Sequence, residues 1–385
     1  MTTPRLAPRV DALVGSVYSN LVARFAGLSG ERYPFHVGDT WLEPPEGCRT
    51  EDVRLSDWPG HHRYTPVPGL PALLSAVAAR VAQRTGVPVA PDEVFVCAGA
   101  TAGFAQVLGA VVPPGGEVLV LGPAWPLFAG GTVAFEGVPV HVPFHGRVAR
   151  ADEVDAALDP YRSPAAVAVY LNTPSNPTGR IVRPEVVAAV AAWARRHGLW
   201  LISDEVYEDI RFVDVPHVYA RSLAAERAIS AWSFSKAYGM AGNRVGYVVG
   251  PRSVIAAATK LATYTSYCAP HVGQLAALRA LGPAGDAWVA DATRRYAAIG
   301  RWCAERHGVD PPEGGTFLFL DLDRLGVRDD TEAFLARCVD VGVLLAPGRV
   351  FGPPWERWVR LCFTAVPPEV TQRGVEALAG LLPGR

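Results

Sequence analysis

Lysine is nearly absent from this chain of 385 residues. Only two of its 36 lysine and arginine residues are lysines, Lys236 and Lys260, and all the others are arginines. The arginine excess itself reflects genome composition rather than a function. Because arginine supplies positive charge almost everywhere else, each lysine marks either an ordinary surface charge or a position where the amine itself is needed. We interpret Lys260 as a surface charge.

The sequence also lacks a charge imbalance and long apolar runs. The formal net charge is −1, which gives no electrostatic reason to expect nucleic acid or an anionic membrane as a partner. No apolar run approaches the ~20 residues that a membrane-spanning helix needs. Residues 1–16 lack the apolar segment of a secretory signal. We therefore expect a cytoplasmic protein with no membrane partner.

Cysteine motifs are missing as well. The six cysteines lie far apart, with no CxxC pair and no Cys/His pair at the spacing of a zinc site. This pattern gives no indication of a bound metal or of a disulfide framework. It predicts reduced, mostly buried thiols, as in cytosolic proteins.

Short apolar runs alternate with helical patterns between residues 93 and 235. One example is "EVFVCAG" (93–99), which is followed by "TAGFAQVLGAVV" (101–112). Continuous apolar runs of this length are typical of parallel strands buried on both faces by helices. The sequence therefore predicts an α/β fold, and its length favours two subdomains.

The last third of the chain has a different pattern. Residues 286–307 form one long amphipathic helix pattern, and shorter strand and helix patterns follow it at 314–322, 330–341, 341–348, 358–364 and 367–382. We predict a large domain over residues 46–285. A smaller α+β domain would combine residues 1–45 with 286–385, and its boundary near 285 depends on the turn-rich stretch "GPAGDAW".

Polar side chains and a small-residue turn follow the predicted strands. In open α/β sheets, ligands bind at the carboxyl ends of the strands. The features found there are "AGATAG" (98–103), Asn176, Asp204, Tyr207, Ser233, Lys236 and, eight residues later, Arg244.

The chemistry of this set indicates a phosphorylated aromatic cation. A small-residue turn that opens a helix favours an anion, to which Arg244, Ser233 and Thr101 add donors. A buried Asp204 needs a cation. Lys236 supplies a primary amine, which can form a Schiff base with an aldehyde as a guanidinium cannot.

The remaining polar and aromatic groups agree with the same ligand. Asn176 and Tyr207 can hydrogen-bond a ring oxygen, and Trp125 offers a flat face. The sequence therefore predicts pyridoxal 5′-phosphate as the cofactor. Simpler interpretations stay open, because Asp204 could cap a helix, Asn176 could shape its turn, and Tyr207 and Trp125 could be core aromatics.

Five motifs in order carry a family resemblance. "PSNPTG", "SDEVYEDI", "SFSKAYGMAGNRVGY" and "VRLCF" resemble the class I/II, fold-type I pyridoxal-phosphate aminotransferases, and the match begins at "YTPVPGLPAL" (64–73). The resemblance covers nearly the whole chain. It implies a mostly parallel, seven-stranded-type sheet covered by helices, plus the smaller α+β domain.

The resemblance implies a role for each matching residue in holding the cofactor. Lys236 resembles the Schiff-base lysine, which also moves the substrate proton, and Asp204 resembles the partner of the pyridinium nitrogen. Tyr207 and Asn176 resemble the pair that binds the ring oxygen. Phosphate binding and ring stacking are implied for a further set: Ala100, Thr101, Ser233 and Arg244 for the phosphate, Trp125 for the ring, and Tyr64 for the phosphate of the neighbouring subunit.

Other matching residues are implied to bind the substrate. Arg360 in "VRLCF" resembles the arginine that binds the substrate α-carboxylate, with Asn176 and the backbone of Gly38 beside it. An arginine in a strand that is apolar on both faces needs an anion. Tyr33, Phe35, Trp41 and Tyr267 suggest an apolar, aromatic or specialised amino acid as the substrate.

The implied reaction is transamination between an amino acid and a 2-oxo acid, through pyridoxamine phosphate, in a homodimer with shared active sites. The same kind of site also supports elimination, replacement or cyclisation, so a lyase or cyclase is the alternative. A remote alternative is a cofactor-binding sensor. Regulators of that kind carry an N-terminal winged-helix domain, for which the first ~60 residues are too few.

Overall fold

The computed structural model describes residues 6–13 and 21–383, and its larger sheet has seven strands. In the order β1-β7-β6-β5-β4-β2-β3, neighbouring strands are parallel except at β7, which runs antiparallel to β1 and β6. The strands are β1 (Val94–Cys97), β2 (Glu117–Gly122), β3 (Val138–Pro143), β4 (Ala166–Asn172), β5 (Trp200–Asp204), β6 (Ala228–Ser233) and β7 (Gly246–Val249). The predicted α/β fold with a mostly parallel sheet is confirmed.

Helices cover both faces of this sheet, as the continuous apolar runs predict. Strands β4, β5 and β6 are buried along nearly their whole length, because apolar helix faces pack on each side of them. The helices of the described residues are α1 (Pro8–Asp11), α2 (Val22–Ala26), α3 (Pro71–Thr85), α4 (Ala100–Val111), α5 (Pro126–Ala134), α6 (Val154–Leu158), α7 (Pro184–Arg196), α8 (Ala220–Ala224), α9 (Phe234–Ala237), α10 (Arg252–Thr263), α11 (His271–Ala280), α12 (Pro283–His307), α13 (Thr331–Asp340) and α14 (Pro368–Ala379).

The reversed direction of β7 matters for the site. An antiparallel strand begins at the sheet edge where its neighbour ends, so β6 and β7 form a hairpin in which Ser233 is paired with Gly246. The connecting residues 234–245 contain both Lys236 and Arg244. Both cations therefore lie at the carboxyl edge of the parallel strands.

The smaller sheet has three antiparallel strands in the order β8-β10-β9, namely β8 (Phe317–Asp321), β9 (Ala346–Pro347) and β10 (Trp358–Cys362). The strand predicted over 341–348 is short. The backbone around Val343 pairs instead with Tyr33, whose N–H donates to the carbonyl of Gly342 and whose carbonyl accepts from the N–H of Leu344. Helix α12 begins at Pro283, just before the expected boundary at 285. The division into residues 46–285 and 1–45 with 286–385 stays a prediction.

Within the described residues, no helix is long and apolar enough to cross a membrane. The same part of the chain contains no group of three or more His, Cys, Asp or Glu side chains that could hold a metal ion. The six cysteines are free, and all except Cys268 are buried.

Candidate active site

A cavity of about 210 Å³ lies where the strands of the larger sheet end. It is lined by nearly all of the residues that the sequence predicts for the site: Gly38, Ala100, Thr101, Trp125, Asn176, Asp204, Tyr207, Ser233, Lys236, Arg244 and Arg360. Phe104, Leu127, Val206, Ser235, Ala241 and Phe317 complete the wall. Strand ends, helix N-termini and the β6–β7 hairpin thus converge on one space.

Lys236 extends into this space from the short helix α9, which follows β6 directly. The side chain of Ser233 starts that helix by accepting a hydrogen bond from the backbone N–H of Ser235, at 3.1 Å. The Lys236 amine donates to the carbonyl of Gly38. Burial lowers the pKa of Lys236, and the nearby charges of Arg360 and Arg244 add to this effect against that of Asp39. The amine is therefore closer to its neutral, nucleophilic form than an exposed lysine.

Asp204 ends β5 with its carboxylate buried. The Tyr170 hydroxyl donates to its Oδ2 at 2.7 Å, and the backbone N–H of Val206 donates to its Oδ1 at 3.3 Å. Burial raises the pKa of Asp204 to about 7, although these two hydrogen bonds act in the opposite direction. No described Lys, Arg or His forms an ion pair with it. A protonated ring nitrogen would supply the cation that this carboxylate requires.

An amide network joins the end of β4 to the smaller sheet. Asn172 donates to the carbonyl of Asp204 at 2.9 Å, and its oxygen accepts the backbone N–H of Asn176 at 2.6 Å. The Asn176 oxygen in turn accepts a hydrogen bond from Arg360 at 2.8 Å. The turn that carries Asn176 is therefore held from both sides, and Tyr207 is buried close by.

The N-terminus of α4 and Arg244 form an anion-binding end of the cavity. Gly99, with a φ of 78°, precedes α4, so Ala100 and Thr101 present the first helical N–H groups. A Cβ on Gly99 would lie 3.0 Å from Cζ of Arg244, so glycine is needed for this approach. Arg244 has a φ of 52° and donates to the carbonyls of Ala241 and Ala98 at 2.8 and 3.2 Å.

These groups together fit pyridoxal 5′-phosphate. An amine, a buried carboxylate that requires a cation, and a helix N-terminus with an arginine beside it lie around one cavity. Each matches one part of the cofactor: the aldehyde, the ring nitrogen and the phosphate. Asn176, Tyr207 and Trp125 line the same wall, where hydrogen bonds to the ring oxygen and stacking on the ring are possible.

Tyr170, Asn172 and Phe317 belong to the site but were missed by sequence reasoning. Tyr170 and Asn172 come three residues and one residue before the motif "TPSNPTG" (173–179), so their place near the end of a predicted strand was the available signal. Phe317 belongs to the alternating run "TFLFLD", in which nothing indicates which aromatic ring faces the cavity.

None of the four aromatic residues from which an apolar substrate was inferred lines the cavity of its own chain. Tyr33 and Phe35 are buried in the core of the smaller sheet, and Trp41 packs edge-on against Tyr296 at 5.4 Å between ring centroids. Tyr267 lies outside the cavity, 4.9 Å from the ring of Tyr64. Tyr64 itself is 86% exposed and contributes nothing to the cavity of its own chain.

Comparisons with known proteins agree with this geometry. The family model described as "Aminotransferase class I and II" matches residues 30–378. An aspartate aminotransferase from Streptomyces avermitilis is 30% identical over 407 aligned residues, covering 99% of this chain and 98% of that protein. An arginine–pyruvate transaminase from Pseudomonas aeruginosa is 34% identical, over 78% of each chain. The solved structure of aspartate aminotransferase from Thermus thermophilus with maleate has a TM-score of 0.89 at 27% identity, covering 99% of this chain and all (100%) of that one.

Proposed function

The chain belongs to the class I and II aminotransferase family and is a pyridoxal-phosphate-dependent aminotransferase, and from this premise we propose that its amino donor has an uncharged side chain. The relatives are named for different amino acids, so the family alone leaves the substrate open. The observation that supports the proposal is the distribution of charge in the cavity.

Four charged side chains line the cavity, Asp204, Lys236, Arg244 and Arg360. Each has a role that the cofactor or the substrate α-carboxylate accounts for. The rest of the wall includes the side chains of Phe104, Trp125, Leu127, Val206 and Phe317. The described residues of this chain therefore offer no second cation for a distal carboxylate, and their apolar surface favours an apolar or aromatic side chain.

Pyridoxal 5′-phosphate supplies the aldehyde and the electron-withdrawing ring that aminotransfer needs. In our proposal Lys236 Nζ accepts the proton from the substrate Cα, and Asp204 holds a proton on the ring nitrogen. Arg244 and the N-terminus of α4 bind the phosphate, and Arg360 binds the substrate α-carboxylate with its guanidinium fork. Asn176 and Tyr207 donate to the ring oxygen.

A spectroscopic screen of amino donors tests the proposal. The holoenzyme is mixed in single turnover with a panel that includes phenylalanine, leucine, arginine, aspartate and glutamate, and conversion of the bound cofactor to its amine form is followed by absorbance. We expect an apolar or aromatic amino acid to react with the highest kcat/KM and to leave as a 2-oxo acid without ammonia. A preference for aspartate or glutamate would overturn the substrate proposal, and ammonia release with the aldehyde form intact would favour the lyase.

We also propose that the protein is a homodimer and that it is cytoplasmic. Exposed tyrosines lie together near residues 64 and 264–267, with Tyr64 at 86% and Tyr264 at 81% exposure. Such a patch supports coverage by a second copy of this chain in a homodimer. Free, mostly buried cysteines agree with a reducing compartment such as the cytoplasm.

A further inference from the structure

The ring of Phe317 packs against two residues of the proposed active site, Arg360 and Tyr207. Phe317 is the first residue of β8, is fully buried and lines the cavity. One face of the ring lies 4.2 Å from Cζ of Arg360. The rings of Phe317 and Tyr207 pack in a T-shaped arrangement, with 5.8 Å between the centroids.

Arg360 is held at its edge by hydrogen bonds and lies against two rings, with Phe317 the nearer at 4.2 Å from its Cζ and Phe351 at 5.1 Å, both measured to the ring centroid. Its two terminal nitrogens donate to Asn176 Oδ1 at 2.8 Å and to the carbonyl of His36 at 2.6 Å. Hydrogen bonds at the edge leave a planar ion able to tilt about that edge. An aromatic face within cation–π distance fixes the plane, and burial strengthens this attraction. The plane of the guanidinium determines the direction from which a carboxylate can receive two parallel hydrogen bonds from it.

The tip of the same ring meets Gly38. A Cβ on Gly38 would lie 2.7 Å from Cζ of Phe317 and 3.1 Å from its Cε1, so a side chain at position 38 and this ring exclude one another. The carbonyl of Gly38 accepts the hydrogen bond from the Lys236 amine. One ring thus lies beside both the segment that orients the amine and the Arg360 guanidinium, which lines the same cavity.

We propose that Phe317 is a positioning residue for substrate binding: its ring fixes the guanidinium plane of Arg360 and, by filling the space beside Gly38, sets the separation between the α-carboxylate site and the Lys236 amine. The proposal rests on the proposed role of Arg360 in binding the α-carboxylate. It gives position 38 a reason to be glycine that is independent of any backbone hydrogen bond to the substrate.

The first experiment replaces the ring with an aliphatic side chain of similar volume. In Phe317→Leu we expect the KM of the best amino donor to rise about tenfold to thirtyfold, with a much smaller change in kcat. The Ki of 3-phenylpropionate should rise in parallel, whereas that of the uncharged 3-phenylpropionamide should not change. Phe334→Leu is the matched control, because Phe334 is a buried ring of the same core that does not line the cavity. It should lower the melting temperature and leave KM and both Ki values unchanged.

A double-mutant cycle tests the contact with Gly38. Gly38→Ala alone should raise KM because the new methyl group meets the ring, and adding Phe317→Leu should remove most of that extra effect. Additive effects of the two substitutions would overturn the coupling. The positioning role would be overturned if Phe317→Leu raised the Ki values of 3-phenylpropionate and 3-phenylpropionamide equally. It would also be overturned if Phe317→Leu lost cofactor absorbance while its KM stayed unchanged. If Phe317→Leu does not fold, Phe317→Met takes its place.

Arg360→Ala separates this inference from the function on which it rests. If Arg360→Ala weakens 3-phenylpropionate binding and Phe317→Leu does not, the proposed role of Arg360 stands and the inference fails. If Arg360→Ala itself leaves that Ki unchanged, the proposed carboxylate site is wrong.

Discussion

At the scale of single residues, the site depends on two groups whose charge is changed by burial. Lys236 has a lowered pKa and Asp204 a raised one, and both changes arise chiefly from loss of solvent. Burial thus brings the amine and the carboxyl toward their neutral forms. The aldehyde of the cofactor would react with the neutral amine of Lys236. Its cationic ring nitrogen would stabilise the ionised carboxylate of Asp204.

The scarcity of lysine makes the covalent role of Lys236 easy to test. Borohydride reduction of the holoenzyme followed by peptide mapping has only two possible lysine targets, and we expect the pyridoxyl group on Lys236. Lys236→Arg keeps the charge but should abolish turnover, because a guanidinium does not form the Schiff base. Lys260→Arg should keep full activity, since Lys260 is exposed on α10. A label on Lys260 would contradict this role.

The raised pKa of Asp204 predicts how cofactor binding responds to pH. Below about pH 7 the protein alone keeps this carboxyl protonated, so it cannot pair with a ring cation without losing a proton. The Kd of pyridoxal 5′-phosphate, measured by fluorescence titration, should therefore increase as the pH falls through 7. Asp204→Asn should remove this pH dependence and lower kcat on the order of 10²–10³-fold, since it deletes an electrostatic partner of the reacting system. A pH dependence that persists in Asp204→Asn would exclude Asp204 as its source.

Sequence reasoning located most of the cavity at this scale because reactive groups in this fold follow strand ends. Motif spacing therefore led to Asp204, Asn176 and Lys236. It did not lead to Phe317, because nothing in the run "TFLFLD" indicates which aromatic ring faces the cavity. The position of Phe317 follows from the packing of the smaller sheet against the larger one. The contact of Tyr170 with Asp204 depends instead on the pairing of β4 with β5.

At the scale of elements, the loop after β5 is fixed by a buried carboxylate–imidazole pair directly behind the site. Glu205 follows Asp204, and its fully buried carboxylate accepts hydrogen bonds from Ser203 Oγ at 2.9 Å and from His217 Nε2 at 2.5 Å. Burial lowers the pKa of His217, but the charge of Glu205 and the hydrogen bond to it, with help from Glu208, raise it more, so the net shift is upward. The pair closes residues 204–217 into one unit that carries Asp204 and Tyr207.

Breaking this pair should have a large and pH-dependent cost. Because the folded-state pKa of His217 is raised, its contribution to stability is fully present below its unfolded pKa of about 6.5 and is lost as the pH rises through the folded value. His217→Gln should lower the free energy of unfolding by about 3–5 kcal/mol at pH 6, as measured by urea denaturation, and should show a weaker decline toward pH 9 than the wild type. Glu205→Gln with His217→Gln should recover part of the loss. Equal pH profiles in wild type and His217→Gln would show that the pair is not ionic.

Element types were predictable from periodicity, but two features of their arrangement were not. The apolar runs at 166–172 and 199–205 became β4 and β5, as continuous buried strands must between two helical layers. The antiparallel direction of β7 depends on the hairpin that pairs Ser233 with Gly246, and no local sequence pattern predicts this hairpin. The short β9 reflects competition from the backbone of Tyr33, which is distant in sequence.

At the scale of the whole molecule, the expected homodimer is the feature that most affects the active site. Tyr64 is exposed and outside its own cavity. If it completes the site of the other subunit, Tyr64→Ala and Lys236→Ala should each be nearly inactive alone. Co-expressed subunits should regain about a quarter of wild-type turnover, because half of the dimers are hybrids with one intact site. Mixed subunits without recovered activity would contradict shared sites, and so would a fully active monomer in size-exclusion chromatography.

The β6–β7 hairpin also constrains how this chain can vary. The register of the hairpin holds Ser233 opposite Gly246, so residues 234–245 form a loop of fixed length with the covalent and the ionic anchors inside it. An inserted or deleted residue there would move Lys236 relative to Arg244, while the same change in the exposed residues 213–214 would move neither. We therefore expect a hairpin transferred from a relative to keep both cations in place only if the length of residues 234–245 is preserved.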